Sequence, residues 1–100
     1  MRRLTFRRSA EQELIAAAIW YERREEGLGA AFLDAIKSTL QRVQESPLTH
    51  PEWRAGSLYR RIVVRKFPYL LFYVVDEEEI SIVAVAHGRR RPGYWTRRTR

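Results

Sequence analysis

The chain has 100 residues, of which 45% are hydrophobic and 31% charged, and its formal net charge is +7. This size and apolar fraction predict one small globular domain, residues 1–100, and exclude global disorder. Because the chain has no cysteine, disulfides, cysteine-based zinc sites and thiol catalysis are excluded. The sequence has neither a run of about 20 apolar residues nor an apolar leader, so we expect a cytoplasmic protein without a membrane span.

The start of the chain predicts a strand followed by a helix. Residues 3–7 alternate polar and apolar side chains, which is typical of a half-buried strand. Ser9 and Gln12 have the spacing of a capping box, so a helix is expected to begin there. The apolar stripe of this helix consists of Ala10, Leu14, Ala17, Ala18 and Tyr21.

A second helix is predicted after Gly27 and Gly29, which break the first one. Residues 30–45 carry their apolar side chains at helical spacing, opposite a polar face. The members of this stripe are Phe32, Ile36, Leu40 and Val43. The short link between the two helices predicts an antiparallel helical hairpin.

The second half of the chain predicts a loop and three strands. Residues 46–57 contain two prolines and a glycine and form the predicted loop. Residues 58–65 and 69–75 are rich in Tyr, Ile, Val and Leu, and a Phe-Pro pair interrupts them. The four acids at 76–79 form a tight turn whose expected role is solubility. Residues 80–86 are again apolar and β-branched.

The order of elements predicts an α+β fold in which a helical hairpin packs on one face of a mainly antiparallel four-stranded sheet, in the order β-α-α-β-β-β. The opposite face of the sheet is expected to be open. From Gly88 onward the sequence contains Pro92, Gly93 and many arginines. This basic tail is expected to be irregular or loosely ordered.

The positive charge is carried almost entirely by arginine. Lys37 and Lys66 are the only lysines among 19 basic residues, so 17 of these are arginine, and no acid follows His87. A genome rich in arginine codons would explain the ratio but not the clustering. The clusters predict a polyanionic or acidic partner. They are Arg2, Arg3, Arg7 and Arg8; Arg54, Arg60, Arg61 and Arg65; and Arg89, Arg90, Arg91, Arg97, Arg98 and Arg100.

Three residues are candidates for chemistry. Strand alternation places Arg60 and Arg61 on opposite faces of the sheet, so one of them faces solvent or a ligand, although the sequence does not say which. Both are alternatively ordinary cations at the rim of a strand. His87 ends the last predicted strand beside several arginines, where it serves either as a base or as a structural hydrogen-bonding residue.

Aromatic residues alternate with the basic clusters. Tyr59, Tyr69, Tyr94 and Trp95 suit base stacking beside phosphate contacts, but they equally suit a strand core and a tail anchor. Two histidines without a clustered ligand pattern, one of them His50 in the loop, predict no metal site. Because a glycine-rich phosphate loop and a GxSxG motif are also missing from the sequence, no cofactor is expected.

Four stretches together resemble the RelE/ParE superfamily of toxins from bacterial type II toxin-antitoxin modules. They are SAEQELIAAAIWYERREEGLGAAFLDAI, the loop ending in Gly56, YRRIVVRKFPYLLFYVV and ISIVAVAHGRRRPGYW. The resemblance covers nearly the whole chain and agrees with the fold expected from periodicity. It implies a cytoplasmic toxin that inhibits bacterial growth and contributes to plasmid stabilisation. A cognate acidic antitoxin is expected to hold this toxin inactive.

The superfamily implies two mechanisms. RelE-like members cleave messenger RNA on the ribosome without a metal, and the matching catalytic candidates here are His87, Arg61 or Arg60, Arg90 and Tyr94. ParE-like members poison DNA gyrase through surface contacts. For either target the expected binding residues are Arg60, Arg61, Arg65, Arg89, Arg90, Arg91, Tyr94 and Trp95.

Two departures favour the ParE-like mechanism. Ribonuclease members often carry an arginine in the strand matching YLLFY, where this chain has Leu70 or Leu71. Their tail also tends to place a tyrosine close behind the histidine, whereas here Tyr94 follows His87 by seven residues. We therefore expect a gyrase poison. The ribosome-dependent endoribonuclease is the first alternative, and a non-toxic basic module that binds nucleic acid is the second.

Overall fold

The computed structural model describes residues 2–98 and contains two helices and one four-stranded sheet. In chain order the elements are β1 (Arg3–Phe6), α1 (Arg8–Arg24), α2 (Leu28–Glu45), β2 (Arg60–Val63), β3 (Tyr69–Val75), β4 (Glu79–His87) and a 3₁₀ helix, Tyr94–Arg97. The spatial order of strands is β1-β4-β3-β2. Among the strand pairs of residues 2–98 only β1–β4 is parallel, so the predicted fold class and element order are confirmed. Neither helix among residues 2–98 has the length and apolar character needed to cross a membrane.

The first helix begins directly from the first strand. The Arg7 N–H donates to the carbonyl of Ile82 and continues the contact with β4, while the Arg7 carbonyl accepts from the Glu11 N–H. Arg7 is therefore the N-cap residue, in extended conformation, and within residues 2–98 no side chain caps this end. The predicted capping box at Ser9 is thus wrong, because the strand delivers the chain into the helix two residues earlier.

The turn between the helices depends on two glycines and one carboxylate. Gly27 adopts a left-handed φ of 89°, which costs glycine little. A Cβ on Gly29 would lie 2.7 Å from the Ala18 carbonyl oxygen, so the two helices meet there at backbone distance. The Glu22 carboxylate accepts the N–H groups of Gly27 and Gly29. It thereby satisfies donors at the start of α2, which begins at Leu28 rather than at the predicted residue 30.

The helical hairpin covers one face of the sheet and forms the larger core. Both predicted apolar stripes face inward, and their most buried members are Ala10, Ala17, Phe32, Ile36 and Val43. The sheet contributes Ile62, Val64, Leu71, Tyr73, Ile80, Ile82 and Val85. Tyr73 is fully buried, and its hydroxyl donates to the Pro47 carbonyl, which ties the long loop to the core.

The opposite face of the sheet is covered by aromatic side chains and is not open as predicted. Trp95 is 1% exposed and stacks on Phe72 with ring centroids 3.7 Å apart. These side chains form a second, smaller core on this face. Val83 and Ala84 both belong to it although they are consecutive in β4, and the β3–β4 register shifts at this point. We call this smaller core the second core; its other members are Ala86, Trp53, Tyr59, Leu70, Val74 and Tyr94.

The segment after β4 folds back onto the sheet as far as Arg98, with Trp95 packed in the second core. We call residues 88–98 the C-terminal arm. Gly93 has a left-handed φ of 78°, and it allows the chain to turn into the 3₁₀ helix that inserts Trp95. Burial of the Trp95 indole opposes part of the conformational entropy that ordering this segment costs.

Candidate functional site

Arg60 and Arg61 have separate surroundings. Ile62 belongs to the larger core, so strand alternation places Arg60 on the helical face and Arg61 on the face of the second core. The Arg60 guanidinium donates a 2.8 Å hydrogen bond to the His50 carbonyl and therefore fastens the loop. Arg61 is the basic residue that β2 carries on the face of the second core. Arg65 lies exposed beyond the end of β2.

His87 ends β4 on the helical face, two residues after the buried Val85. Its ring lies edge-on to the Tyr69 ring, with centroids 5.3 Å apart. Nδ1 accepts a 3.1 Å hydrogen bond from the Arg89 N–H. In the neutral imidazole the proton consequently resides on Nε2. His87 thus shapes the turn that follows the strand.

Tyr94 reaches back from the arm to α1. Its hydroxyl donates a 2.6 Å hydrogen bond to Glu13 Oε2. The guanidinium of Arg90 lies 3.9 Å from the centroid of the Tyr94 ring, and that of Arg98 lies 4.9 Å from it. Burial and the neighbouring Glu13 carboxylate raise the pKa of the Tyr94 phenol far above its ordinary value. At neutral pH the phenol is a fixed donor.

Glu13 was not among the residues predicted from sequence, although the helical pattern carried a signal. It lies three residues after Ala10 and four before Ala17, which are both buried. A carboxylate therefore occupies the inward stripe of α1, where an acid requires partners. Its partners are the Val85 N–H, the Tyr94 hydroxyl and the Arg98 guanidinium. Burial alone would raise the pKa of Glu13, but these hydrogen bonds and the charge of Arg98 lower it overall.

An open groove of about 550 Å³ runs between α1 and the end of the β3–β4 pair, and we call it the α1 groove. His87 and Arg90 both line it, together with Glu13. The rest of its surface is mostly apolar and comes from Ala16, Ala17, Trp20, Tyr21, Pro68, Tyr69 and Val85. Arg61 is absent from this lining, because its side chain lies on the other face of the sheet.

The outer face of α1 is unusually apolar for a helix exposed to solvent. Residues 14–21 read LIAAAIWY, eight consecutive residues without a charge or an amide. Ile15, Ile19 and Trp20 are 52%, 46% and 51% exposed. A helix that is apolar on all sides is ordinarily covered. Trp20 also lines the α1 groove, so the groove and this face form one apolar surface.

The arginine turn, residues 88–91, projects from the end of β4. The Arg90 N–H donates to the His87 carbonyl and closes the turn. Arg89, Arg90 and Arg91 are all exposed, as a role in binding an acidic or phosphate-bearing target requires. Trp95, which is also among the predicted binding residues, is buried in the second core and is therefore not exposed like the three arginines.

The acidic turn after β3 forms its own hydrogen bonds. Asp76 accepts the N–H groups of Glu78 and Glu79. Glu79 belongs to β4, and hydrogen bonds from Thr5, Ser81 and Arg3 lower its pKa. No group of three or more His, Asp or Glu side chains within residues 2–98 is placed to hold a metal ion.

Comparison with known proteins gives one family and one fold. The family model described as "ParE toxin of type II toxin-antitoxin system, parDE" matches residues 4–92. A solved structure described as a chromosomal ParDE TA system from P. aeruginosa is similar, with a TM-score of 0.63 at 18% identity, over 87% of this chain and 96% of that chain. This likeness concerns the fold. No curated protein matches the sequence.

Proposed function

Since the chain belongs to the ParE toxin family of type II toxin-antitoxin systems, we propose that it poisons DNA gyrase, inhibits bacterial growth and is neutralised by a cognate acidic antitoxin. The proposal places target contact on exposed arginines and antitoxin contact on the α1 groove. It assigns no bond-breaking step to the protein itself.

The observation that carries this proposal is the separation of the residues that RNA cleavage would need. Internal attack by a 2′-hydroxyl requires a base, an acid and cations within hydrogen-bond reach of one phosphate. His87 and Arg90 line the α1 groove, while Arg61 lies on the opposite face of the sheet. The Tyr94 hydroxyl is already bonded to Glu13. This arrangement favours a poison over a ribonuclease.

The strand residues that replace the expected cation support the same choice. Leu71 is fully buried in the larger core, and Leu70 packs against the second core. Neither face of β3 at this point therefore presents a charged group to a phosphate. A poison requires only a surface that stabilises a protein–DNA intermediate, and the exposed arginines of the arginine turn supply such a surface.

The apolar surface of α1 supports antitoxin binding. A partner segment that fits it is an amphipathic helix with one apolar stripe, because the α1 groove is open and mostly apolar. Acidic residues beside that stripe would meet the guanidinium of Arg90 at the groove and that of Arg24, which lies 4.2 Å from the Trp20 ring centroid. The net charge of +7 favours the same chemistry.

The proposal is tested by expressing the chain in bacteria with and without the acidic protein of the adjacent reading frame. We expect growth arrest when the chain is expressed alone and recovery when both are expressed, with co-purification at moderate salt. Normal growth combined with nucleic-acid binding that weakens steeply with salt would support the non-toxic binding module instead.

A further inference from the structure

The edge of β4 is only partly covered by a neighbouring strand. β1 pairs with β4 over residues 79–82. Beyond that point the Val83 carbonyl accepts from Arg98 Nη1 at 3.0 Å, and the Val85 N–H donates to Glu13 Oε1 at 3.0 Å. Side chains of α1 and of the C-terminal arm thus take the place of a missing strand.

One carboxylate joins these parts. Glu13 accepts hydrogen bonds from the Val85 N–H, from the Tyr94 hydroxyl and from Arg98 Nη1 and Nη2, at 2.6 to 3.0 Å. The side chains of Glu13 and Arg98 are 18% and 20% exposed. A bidentate contact between a guanidinium and a carboxylate is strong in such surroundings, and it fixes the relative orientation of the two side chains.

We propose that Glu13 is a latch that holds the C-terminal arm on the free edge of β4 and thereby positions the arginine turn. The turn is fixed at one end by β4 and at the other by Tyr94 and Arg98, both bonded to Glu13. The consequence for toxicity rests on the proposed function, but the consequence for the order of the arm does not.

The latch acts beside a second, apolar anchor. Trp95 stacks on Phe72, so loss of the ion pair leaves the arm attached by its indole. Removing one partner of a half-buried ion pair leaves the other charge without compensation. The expected result is an arm that opens often on an intact domain. Glu13 is therefore a positioning residue that acts on the target through the arginine turn.

The test compares Glu13→Gln, Arg98→Met and the double variant with Glu11→Gln, an exposed acid on the same helix. Tryptic cleavage after Arg89 and Arg90 measures opening of the arm, and hydrogen exchange of the Ile36 and Leu71 amides reports on the core. We expect cleavage to be about tenfold faster in both single variants at unchanged core protection. The double variant should be cleaved more slowly than the product of the two single effects would give, because both changes remove the Glu13–Arg98 ion pair.

Unchanged cleavage in a folded Glu13→Gln variant would overturn the proposal, and so would independent, multiplying effects in the double variant. Toxicity gives the second readout. It is compared for variants that co-purify with the antitoxin to the same extent as the parent protein. Toxicity should fall with arm opening. If Glu13→Gln opens the arm but stays as toxic as the parent, the positioning role is overturned. If the parent chain is itself not toxic, the proposed function fails while the cleavage result still decides the latch.

Discussion

Glu13 carries a negative charge at a position of α1 that otherwise faces the core. Its pKa is lowered in the folded protein, so its interactions stabilise the fold fully above the ordinary carboxyl pKa and are lost as pH falls through the folded value. Arg98 and Tyr94 of the arm and the Val85 N–H of β4 face the carboxylate. His87 and Arg90 line the same groove.

The stability difference between the parent and Glu13→Gln should therefore depend on pH. We expect it to be largest near pH 7 and to shrink below about pH 4, where the parent carboxyl also becomes protonated. Urea unfolding of both proteins across this range measures the difference. A difference that stays constant down to pH 3 would show that the charge of Glu13 contributes nothing.

Substitutions at His87 separate its structural role in the turn from a role as a general base. Asparagine can accept the Arg89 N–H through its side-chain oxygen, as in an Asx turn, but cannot act as a base near neutral pH. For a gyrase poison, His87→Asn should change toxicity by less than about threefold. A ribonuclease should lose about a hundredfold or more in activity. Growth assays at matched expression levels measure this, with His87→Ala as the variant that also loses the turn contact.

Tyr73 shows how burial changes an ordinary titration. Its hydroxyl donates to the Pro47 carbonyl inside the larger core, and burial raises its pKa to about 12. The associated stability is present below about pH 10 and is lost as pH rises through 12. Absorbance titration should show late ionisation of both Tyr73 and Tyr94. The share that belongs to Tyr73 should disappear in Tyr73→Phe, which should also unfold about 1 kcal/mol more easily at neutral pH. A parent protein in which every tyrosine ionises near pH 10 would contradict this assignment.

At Gly29 in the helical hairpin, helix propensity and packing predict opposite effects of a substitution. Alanine is a better helix former than glycine by about 1 kcal/mol, so propensity alone predicts that Gly29→Ala stabilises α2. The contact with the Ala18 carbonyl predicts the opposite sign. We expect a net loss of about 1 kcal/mol or more in thermal or urea unfolding. Ser38→Ala, exposed on the same helix, serves as the control and should gain a few tenths of a kcal/mol.

The arginine turn is the element that the proposed function depends on most. Replacing Arg89, Arg90 and Arg91 by alanine should lower toxicity by about tenfold or more, because it removes three exposed charges while leaving the cores intact. The control replaces Arg8, Arg23 and Lys37, which are also exposed, and removes the same net charge. Equal loss of toxicity in both triple variants would mean that total charge, rather than this turn, determines the effect.

Periodicity was sufficient to predict the elements and the helical core, because each stripe follows the repeat of its own helix or strand. The second core could not be predicted in this way. Trp53 lies in the loop and Trp95 in a single 3₁₀ turn, where no repeat indicates which side is buried. The role of Glu13 depends on partners at Val85 and Arg98, more than 70 residues away in the chain. The start of α1 was likewise decided by a tertiary hydrogen bond rather than by the local Ser9 pattern.

Both faces of the sheet are covered, whereas the outer face of α1 is exposed. The sheet is protected on one face by the hairpin and on the other by the arm and its aromatic neighbours. The exposed apolar side chains of α1 have no such cover within residues 2–98. Together with a net charge of +7, this arrangement predicts an acidic partner that folds onto α1 and completes the burial.

Trp20 tests where this partner binds. Trp20→Ala should weaken antitoxin binding by about tenfold or more, because it removes a large exposed aromatic side chain that lines the α1 groove. Leu58→Ala is the matched control, since Leu58 is 84% exposed and remote in sequence from α1. Titration calorimetry of the purified pair measures both affinities. Equal affinity of Trp20→Ala and the parent would place the antitoxin on another surface.

The most direct test of the gyrase proposal follows DNA and messenger RNA together during the first minutes after the chain is induced without its antitoxin. A gyrase poison should cause gyrase-linked DNA breaks and a DNA-damage response while bulk messenger RNA remains intact. Rapid, ribosome-dependent loss of messenger RNA that is abolished by His87→Ala, with DNA unbroken, would contradict the gyrase proposal and would make the protein a ribonuclease.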